Sequence, residues 1–270
     1  MGTHTIIVGD CLEKLKEVVD NSIDLALTSP PYYIAKEYSG GKGDMGKNDD
    51  YKEYLSNMRK IIKEHFRILK AGSIFAWNTS PVISNGFRYM IPNDTHNIFI
   101  EEGFICAEMV QWVKPDGAGK LRCGGWCQNN GRPHTWHPNI IDETIGFYKK
   151  PGTPIKKKYE PLNKWYPTKI PKDLLTNIWK FNPETNIKTV GWHPAPFPEE
   201  LPKRIILLYS YPNDIVLDSF MGSGTTLKVA RDLGRNSIGI ELSETYIEKA
   251  KEKIGFYQKS LIDKHKYEER

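Results

Sequence analysis

The chain has 270 residues, 39% of them hydrophobic and 26% charged, which is enough apolar material for one large α/β core and excludes a disordered or fibrous protein. Four irregularly placed cysteines exclude a secreted disulfide framework. No run approaches the roughly 18 apolar residues of a membrane span, and no N-terminal stretch resembles a signal peptide, so a cytoplasmic protein is expected. The net charge of +5 is unevenly spread: residues 112–180 hold 13 Lys/Arg against 5 Asp/Glu, a local +8 against −3 elsewhere, as a nucleic-acid footprint would be.

In chain order, Thr5 to Val8 reads as a strand ending at Gly9-Asp10, followed by an amphipathic helix around Leu12, Leu15, Val18 and Val19. Ile23 to Thr28 is a buried strand. It stops at Ser29-Pro30-Pro31, because proline donates no ladder hydrogen bond and pushes the residue before it away from helix. Ser39 to Asp50 is a glycine-rich, charged loop. Tyr51 to Leu69 repeats apolar residues at helical spacing, Lys70-Ala71-Gly72 closes that helix, and Ser73 to Trp77 is the next strand. Phe104 to Trp112 and Thr144 to Tyr148 are two further strands. From Lys114 to about Pro196 the periodicity otherwise dissolves, yet five of the seven tryptophans lie between Trp112 and Trp179, which points to a functional insert rather than disorder. Regular structure resumes with a helix from Glu199 to Tyr209, a strand Ile215 to Asp218, a helix from Thr225 to Leu233, a strand Ser237 to Ile240 and a helix from Ser243 to Ile254. Lys259 to Arg270 is a charged tail expected to fray.

Asp218-Ser219-Phe220-Met221-Gly222-Ser223-Gly224-Thr225-Thr226 is a strand end running into a glycine turn that opens a helix. Such a turn admits a ligand close to the backbone, and the helix N-terminus supplies unpaired N–H groups. By itself it is equally a structural turn. A second acid, Glu241, stands 23 residues after Asp218 at the end of the next strand, where nucleoside-binding folds place a ribose-binding carboxylate. No lysine stands in the turn to hold a triphosphate, which disfavours an ATPase.

Thr28-Ser29-Pro30-Pro31-Tyr32-Tyr33 sits at the carboxyl end of a strand, the side where α/β sheets bind ligands. The prolines fix the loop, the Ser29 hydroxyl and Pro30 carbonyl offer two acceptors, and Tyr32 offers a flat face. Two acceptors on the two hydrogens of an aromatic amine would orient its nitrogen toward a methyl donor. An isolated Ser-Pro-Pro is more often a turn with a surface serine.

Taken together these segments resemble the amino-methyltransferases of restriction-modification systems in their permuted beta arrangement, catalytic motif first and cofactor motif last. Thr28 to Tyr32 matches the family's Ser-Pro-Pro-Tyr, Asp218 to Thr226 its Asp-Pro-Phe-x-Gly-Ser-Gly-Thr-Thr, and His193 to Pro198 its His-Pro-Ala-x-Phe-Pro; Gly9-Asp10 and Gly239-Ile240-Glu241 also fall in place. The resemblance spans residues 5–80 and 190–255. It implies a Rossmann-like α/β methyltransferase fold, a mostly parallel sheet with helices on both faces plus an irregular target-recognition insert. It implies S-adenosyl-L-methionine as cofactor, S-adenosyl-L-homocysteine as product, and methyl transfer to a flipped base. Ser29, Pro30, Pro31 and Tyr32 would form the catalytic loop. Asp10, Cys11, Thr28, Phe197, Asp218, Ser219, Phe220, Gly222, Ser223, Gly224, Thr225, Thr226, Glu241 and Leu242 would line the cofactor. Ser219 departs from the family's proline. The serine form of the loop favours cytosine N4, with adenine N6 the alternative; no Pro-Cys pair supplies the nucleophile of a cytosine C5 enzyme.

The implied organisation is a catalytic half (1–112), a target-recognition insert (113–190, with a core strand near 143–148), a cofactor half (191–258) and the tail (259–270). Arg122, Gln128, Asn129, Asn130, Arg132 and His134 have side chains that read base edges, and Lys156, Lys157 and Lys158 suit phosphates. Cys123 and Cys127 with His134 or His137 fit zinc-finger spacing poorly, and no metal is assigned. The expected partner is double-stranded DNA, with a cognate restriction endonuclease as a candidate second partner and a monomer or homodimer as the assembly. A nucleotide-dependent oxidoreductase would need a proton-transfer residue that the Ser-Pro-Pro-Tyr loop lacks. A silent DNA-binding module would not bind the cofactor, and an RNA or protein methyltransferase would differ in substrate.

Overall fold

The computed structural model describes residues 2–33, 50–84, 87–115, 126–128, 135–154, 172–184, 196–255 and 265–269. In chain order these form β1 (Gly2–Val8), α1 (Cys11–Lys14), β2 (Ile23–Thr28), α2 (Tyr51–Ile68), β3 (Leu69–Thr79), β4 (Val82–Ser84), β5 (Phe87–Tyr89), α3 (Ile91–Glu101), β6 (Ile105–Val113), β7 (Trp126–Gln128), β8 (Thr135–His137), β9 (Asp142–Lys149), β10 (Ile178–Lys180), α4 (Glu200–Tyr209), β11 (Ile215–Asp218), α5 (Thr225–Asp232), β12 (Asn236–Glu241), α6 (Glu244–Ile254) and β13 (His265–Glu269).

Nine strands make one sheet in the order β10-β6-β9-β3-β2-β11-β12-β1-β13. In this sheet β9 runs antiparallel to both β3 and β6, and every other pairing is parallel. From β2 the chain moves outward through α2 to β3, whereas from β11 it moves the opposite way through α5 to β12. The strand order therefore reverses between β2 and β11, the point at whose carboxyl strand ends open α/β sheets form their ligand crevice.

The central strands read as continuous apolar runs because both faces are covered. In β3, Phe75 and Trp77 point into a core shared with α2 and α3, while Ile74 and Ala76 point into a second core with α4 and α5. A third cluster, Ile6, Met221, Leu227, Ile247, Ala250 and Ile254, packs α6 beside the glycine turn. No helix among the described residues is long and apolar enough to cross a membrane.

Several elements differ from the sequence reading. The first helix is one turn, Cys11–Lys14, followed by a 3-10 turn at Leu15–Glu17, and Val18 at ψ 132° ends it. Val19 is 72% exposed and outside the core. Gly72 does not cap α2; Leu69 turns extended and begins β3 directly. Residues 70–72 instead form an irregularity between the pairs Ile23–Leu69 and Leu25–Ile74, where Gly72 at φ +78° admits the Pro154 backbone, which a Cβ would approach to 2.6 Å. Where the sequence suggested fraying, His265–Glu269 pairs parallel with β1 as an edge strand. The hairpin β4–β5, the helix α3 and the edge strand β10 lie in segments where no apolar period announced them.

The first and last tryptophans of the stretch from Trp112 to Trp179 are core residues. Trp112 and Trp179 are each 2% exposed, and Trp112 stacks on Phe181 at 5.0 Å while its Nε1 donates to the Phe181 carbonyl at 3.0 Å. Arg204 on α4 locks this edge: its guanidinium lies over Trp179 and Phe181 and pairs with Asp173 and Glu200 at 2.9 and 2.8 Å. Arg204→Met keeps the stem but leaves Asp173 without its cation. It is expected to lower unfolding stability by about 2–3 kcal/mol and red-shift tryptophan emission before global unfolding; an unchanged urea midpoint would contradict this.

Candidate active site

Asp218 ends β11 and Thr28 ends β2, the two strands at the reversal. The Asp218 carboxylate has no solvent exposure. Its Oδ1 accepts from Thr28 Oγ1 at 2.8 Å and from the Phe220 amide at 3.1 Å, and its Oδ2 accepts from Thr226 Oγ1 at 2.6 Å. One acid thus ties the two switch-point strands to the glycine turn. Burial pushes its pKa from 3.8 up to about 6, against the hydroxyls of Thr226 and Thr28 and the Phe220 amide, which favour the anion.

The turn itself is held by Glu241 at the end of β12. Glu241 Oε2 accepts from the Gly222 amide at 2.9 Å, and Oε1 from the Leu242 and Ser243 amides at 2.9 and 2.8 Å. Burial raises this carboxyl, and the three amides oppose the rise. Gly224 caps α5 at φ +75°, and a Cβ there would lie 2.9 Å from the Ala250 Cβ, so glycine lets α6 close on the turn. The Gly9 amide donates to the Glu241 carbonyl at 2.9 Å, and Asp10 caps α1 by accepting from the Leu12 amide at 2.9 Å, which brings the end of β1 to the same place. Cys11 beside them is buried, and burial together with the charges of Asp10 and Glu241 keeps its thiol protonated, unsuited to nucleophilic attack.

The crevice therefore gathers Asp10, Cys11, Thr28, Asp218, Ser219, Phe220, Gly222, Ser223, Gly224, Thr225, Thr226, Glu241 and Leu242. Phe197 packs on the α4 side of the core, in a segment held beside α5 by the Glu199–Lys228 pair at 2.9 Å. Ser219, standing where the resembling family has proline, buries a hydroxyl with no partner among the described residues. Lys253, on α6, was not legible in the sequence: its Nζ donates to Thr225 Oγ1 at 2.7 Å and Ser223 Oγ at 3.4 Å, and it pairs with no carboxylate among the described residues. These features fit a nucleoside bearing a short charged chain: a strand-end acid for hydroxyls, a glycine cradle, and an amine for a carboxylate. Leu242, 41% exposed, adds an apolar surface.

Across the reversal, the loop after β2 is built into a buried polar chain. Ser29 Oγ lies 2.8 Å from Tyr32 Oη and 3.2 Å from the Asn78 carbonyl. The Tyr32 hydroxyl donates to Glu143 Oε2 at 2.8 Å, and Asn78 Nδ2 donates to Glu143 Oε2, Tyr32 Oη and Ser29 Oγ at 2.6, 3.0 and 3.3 Å. Glu143 Oε1 accepts from Lys114 Nζ at 2.6 Å, with both side chains buried. Tyr32 is not the open face that the sequence suggested; it is 6% exposed and its hydroxyl is engaged. Pro30 is buried, and the Pro31 carbonyl accepts from the Tyr54 hydroxyl at 2.9 Å, which fixes the loop to α2.

Asn78, Lys114 and Glu143 come from three separate elements and share no local motif with Ser29. The one trace in the sequence is a polar run, Asn78-Thr79-Ser80, closing an otherwise apolar strand, and an acid opening another. Arg122, Asn129, Asn130, Arg132, His134, Lys156, Lys157, Lys158, Cys123 and His193 lie outside the described residues, as do the side chains of Gln128, Cys127 and His137. The described residues contain no cluster of three metal ligands.

The raised pKa of Asp218 has a defined sign. Its contribution to stability is full below about pH 4 and is lost as pH rises through 6, a change of about 3 kcal/mol. His65, stacked on Phe75 and pushed down to about 4 by burial, works oppositely in the same window, losing stability as pH falls, so the wild-type curve alone masks both. Asp218→Asn is expected to gain about 3 kcal/mol relative to wild type between pH 4 and pH 8 in urea titrations; parallel pH curves would show that Asp218 does not titrate this way.

A family model for DNA methylases of the N6/N4 type matches residues 23–252. The chain is 33% identical over 263 residues to the type II methyltransferase M.BglII of Bacillus subtilis, an alignment covering 91% of this chain and 67% of that one. It is 31% identical over 272 residues to the type II beta methyltransferase M.BslI of Bacillus sp. strain NEB-606, covering 93% of this chain but 28% of that longer protein. Among solved structures it is similar to the putative DNA modification methylase TTHA0409 of Thermus thermophilus complexed with S-adenosyl-L-methionine, with 26% identity, 99% of both chains covered and a TM-score of 0.71. A match of this extent, on this fold, makes the chain a member of the N6/N4 DNA methylase family, amino-directed methyltransferases whose cofactor is S-adenosylmethionine.

Proposed function

We propose that this methyltransferase acts on double-stranded DNA, on a base turned out of the stack, and that its acceptor is cytosine N4, with adenine N6 the alternative. Ser29 carries this reading: a neutral hydroxyl stands one residue from the Thr28–Asp218 bond, so the amine-holding loop adjoins the nucleoside-holding turn. The serine form of the loop goes mostly with cytosine N4 in the resembling family. An exocyclic amine has a lone pair delocalised into its ring. Acceptors on both its hydrogens, Ser29 Oγ and the Pro30 carbonyl, would turn that nitrogen toward in-line attack, and orientation would supply most of the rate.

Bound S-adenosylmethionine supplies an electrophilic sulfonium methyl. Glu241 would hold the ribose hydroxyls, Leu242 and Phe220 would cover the adenine, and Lys253 would pair with the amino-acid carboxylate across Ser223 and Thr225. Tyr32 would act through the hydroxyl that fixes Ser29 rather than as an open stacking face. Extruding the base costs a few kcal/mol, offset by backbone contacts from the basic insert. Arg122, Asn129, Arg132 and His134 are proposed for base edges, Lys156, Lys157 and Lys158 for phosphates, and a cognate restriction endonuclease as the genomic companion.

Transfer of labelled methyl to varied duplex DNA, followed by nucleoside mass spectrometry, tests the assignment. N4-methylcytosine is expected; N6-methyladenine would keep the mechanism and overturn the base, and no methylated nucleoside would overturn DNA as substrate. Two variants divide the site. Ser29→Ala is expected to lose 100-fold or more in rate, on the order of an oriented acceptor lost, while binding S-adenosylmethionine normally by calorimetry. Lys253→Met is expected to weaken cofactor binding roughly tenfold, as for one charge-assisted bond, with the rate at saturating cofactor retained. The reverse pattern would show that the two halves are misassigned.

A further inference from the structure

The buried chain from Lys114 to Ser29 has a direction. A carboxylate ion-paired to a lysine is an acceptor alone, so Glu143 takes the Tyr32 proton at 2.8 Å and the Asn78 amide at 2.6 Å. Tyr32, having spent its proton, can meet Ser29 Oγ at 2.8 Å only as an acceptor, so the Ser29 proton points inward. The other inward neighbour of Ser29, the Asn78 carbonyl at 3.2 Å, is also an acceptor. The two hydrogens of Asn78 Nδ2 go to Glu143 Oε2 at 2.6 Å and Tyr32 Oη at 3.0 Å, ahead of Ser29 Oγ at 3.3 Å. What remains to Ser29 is its capacity to accept and no proton.

We propose that Glu143, held ionised by Lys114, is a positioning residue that sets the sense of this chain, and that the fixed sense makes the site select a base bearing an amine over one bearing an oxo group at the same position. The inference rests on the proposed reading of Ser29 as the group that meets the base. An amine donates into the open lone pair. A carbonyl oxygen at that place would face a lone pair instead, an unpaired buried acceptor, and such mismatches cost a site far more than a missing methyl does. Glu143→Gln reverses the logic: with the Asn78 amide turned so that its Oδ1, which has no partner among the described residues, faces the new amide, that amide donates to Tyr32, the Tyr32 proton is released toward Ser29, and the Ser29 proton becomes available to an oxo group.

The test is equilibrium binding, with the cofactor product S-adenosylhomocysteine present, of the duplex that the wild-type protein methylates. The target base is either the amino form or its oxo counterpart, cytosine against uracil, or adenine against hypoxanthine if adenine is the target. Each is placed opposite an abasic site so that pairing energy does not differ. Wild type is expected to prefer the amino base by about 10- to 100-fold, the discrimination of one good polar contact. In Glu143→Gln that ratio falls toward one. Because the lone variant leaves Lys114 buried without its anion, the pair Glu143→Gln with Lys114→Met is measured beside it, removing both charges at similar volume. A ratio that collapses in the folded double variant while S-adenosylhomocysteine affinity holds bears out the proposal. A ratio unchanged from wild type, or equal losses on both duplexes, overturns it and leaves Glu143 a structural acid. If the wild-type protein methylates no duplex, the proposed function fails, and this inference with it.

Discussion

The carboxylate of Asp218, sealed from water under the hydroxyls of Thr28 and Thr226, is the contact on which the site depends. It stands where the strand order reverses, and each of its bonds reaches a different element: the end of β2, the glycine turn and the start of α5. Displacing it would part the loop after β2 from the glycine turn. The same burial raises its pKa to about 6, so the junction is held at a cost in stability near neutral pH. Three hydrogen bonds to the anion limit that cost.

The second buried acid is handled differently. Glu143 is neutralised by Lys114 and placed by β9, the one antiparallel strand of the sheet, which runs between β6 and β3. Its start therefore meets the ends of β3 and β6, and three distant side chains converge on Ser29. Lys114 follows directly on β6, at the point where the basic insert begins. The loop after β2 is thus braced by the residue that follows β6.

Much of this was legible in the sequence, for physical reasons. Strand, proline stop, glycine turn and strand-end acid are local signals, fixed by what proline, glycine and a helix N-terminus do to a few neighbouring residues, and Ser29, Asp218 and Glu241 fell where those signals put them. Asn78, Lys114, Glu143 and Lys253 were not legible, because each enters the crevice from an element whose own pattern reports only its packing. Tyr32 was misread for the same reason: its exposure depends on a carboxylate 111 residues away. Trp179 read as part of the insert although it packs the sheet edge, since an irregular segment that returns to add a short strand carries no period. Gly72 resembled a helix cap and proved to be room for Pro154.

The most direct test of the claim that one buried bond joins donor and acceptor is a double-mutant cycle on Thr28→Val and Asp218→Ala, read as the rate of a single methyl-transfer turnover at saturating cofactor. If the Thr28–Asp218 bond registers the two halves, the second substitution costs less once the first is made, and the coupling is on the order of 1–2 kcal/mol. Additive losses would mean that each residue acts within its own half, and that the reversal of the sheet is held by something other than this bond.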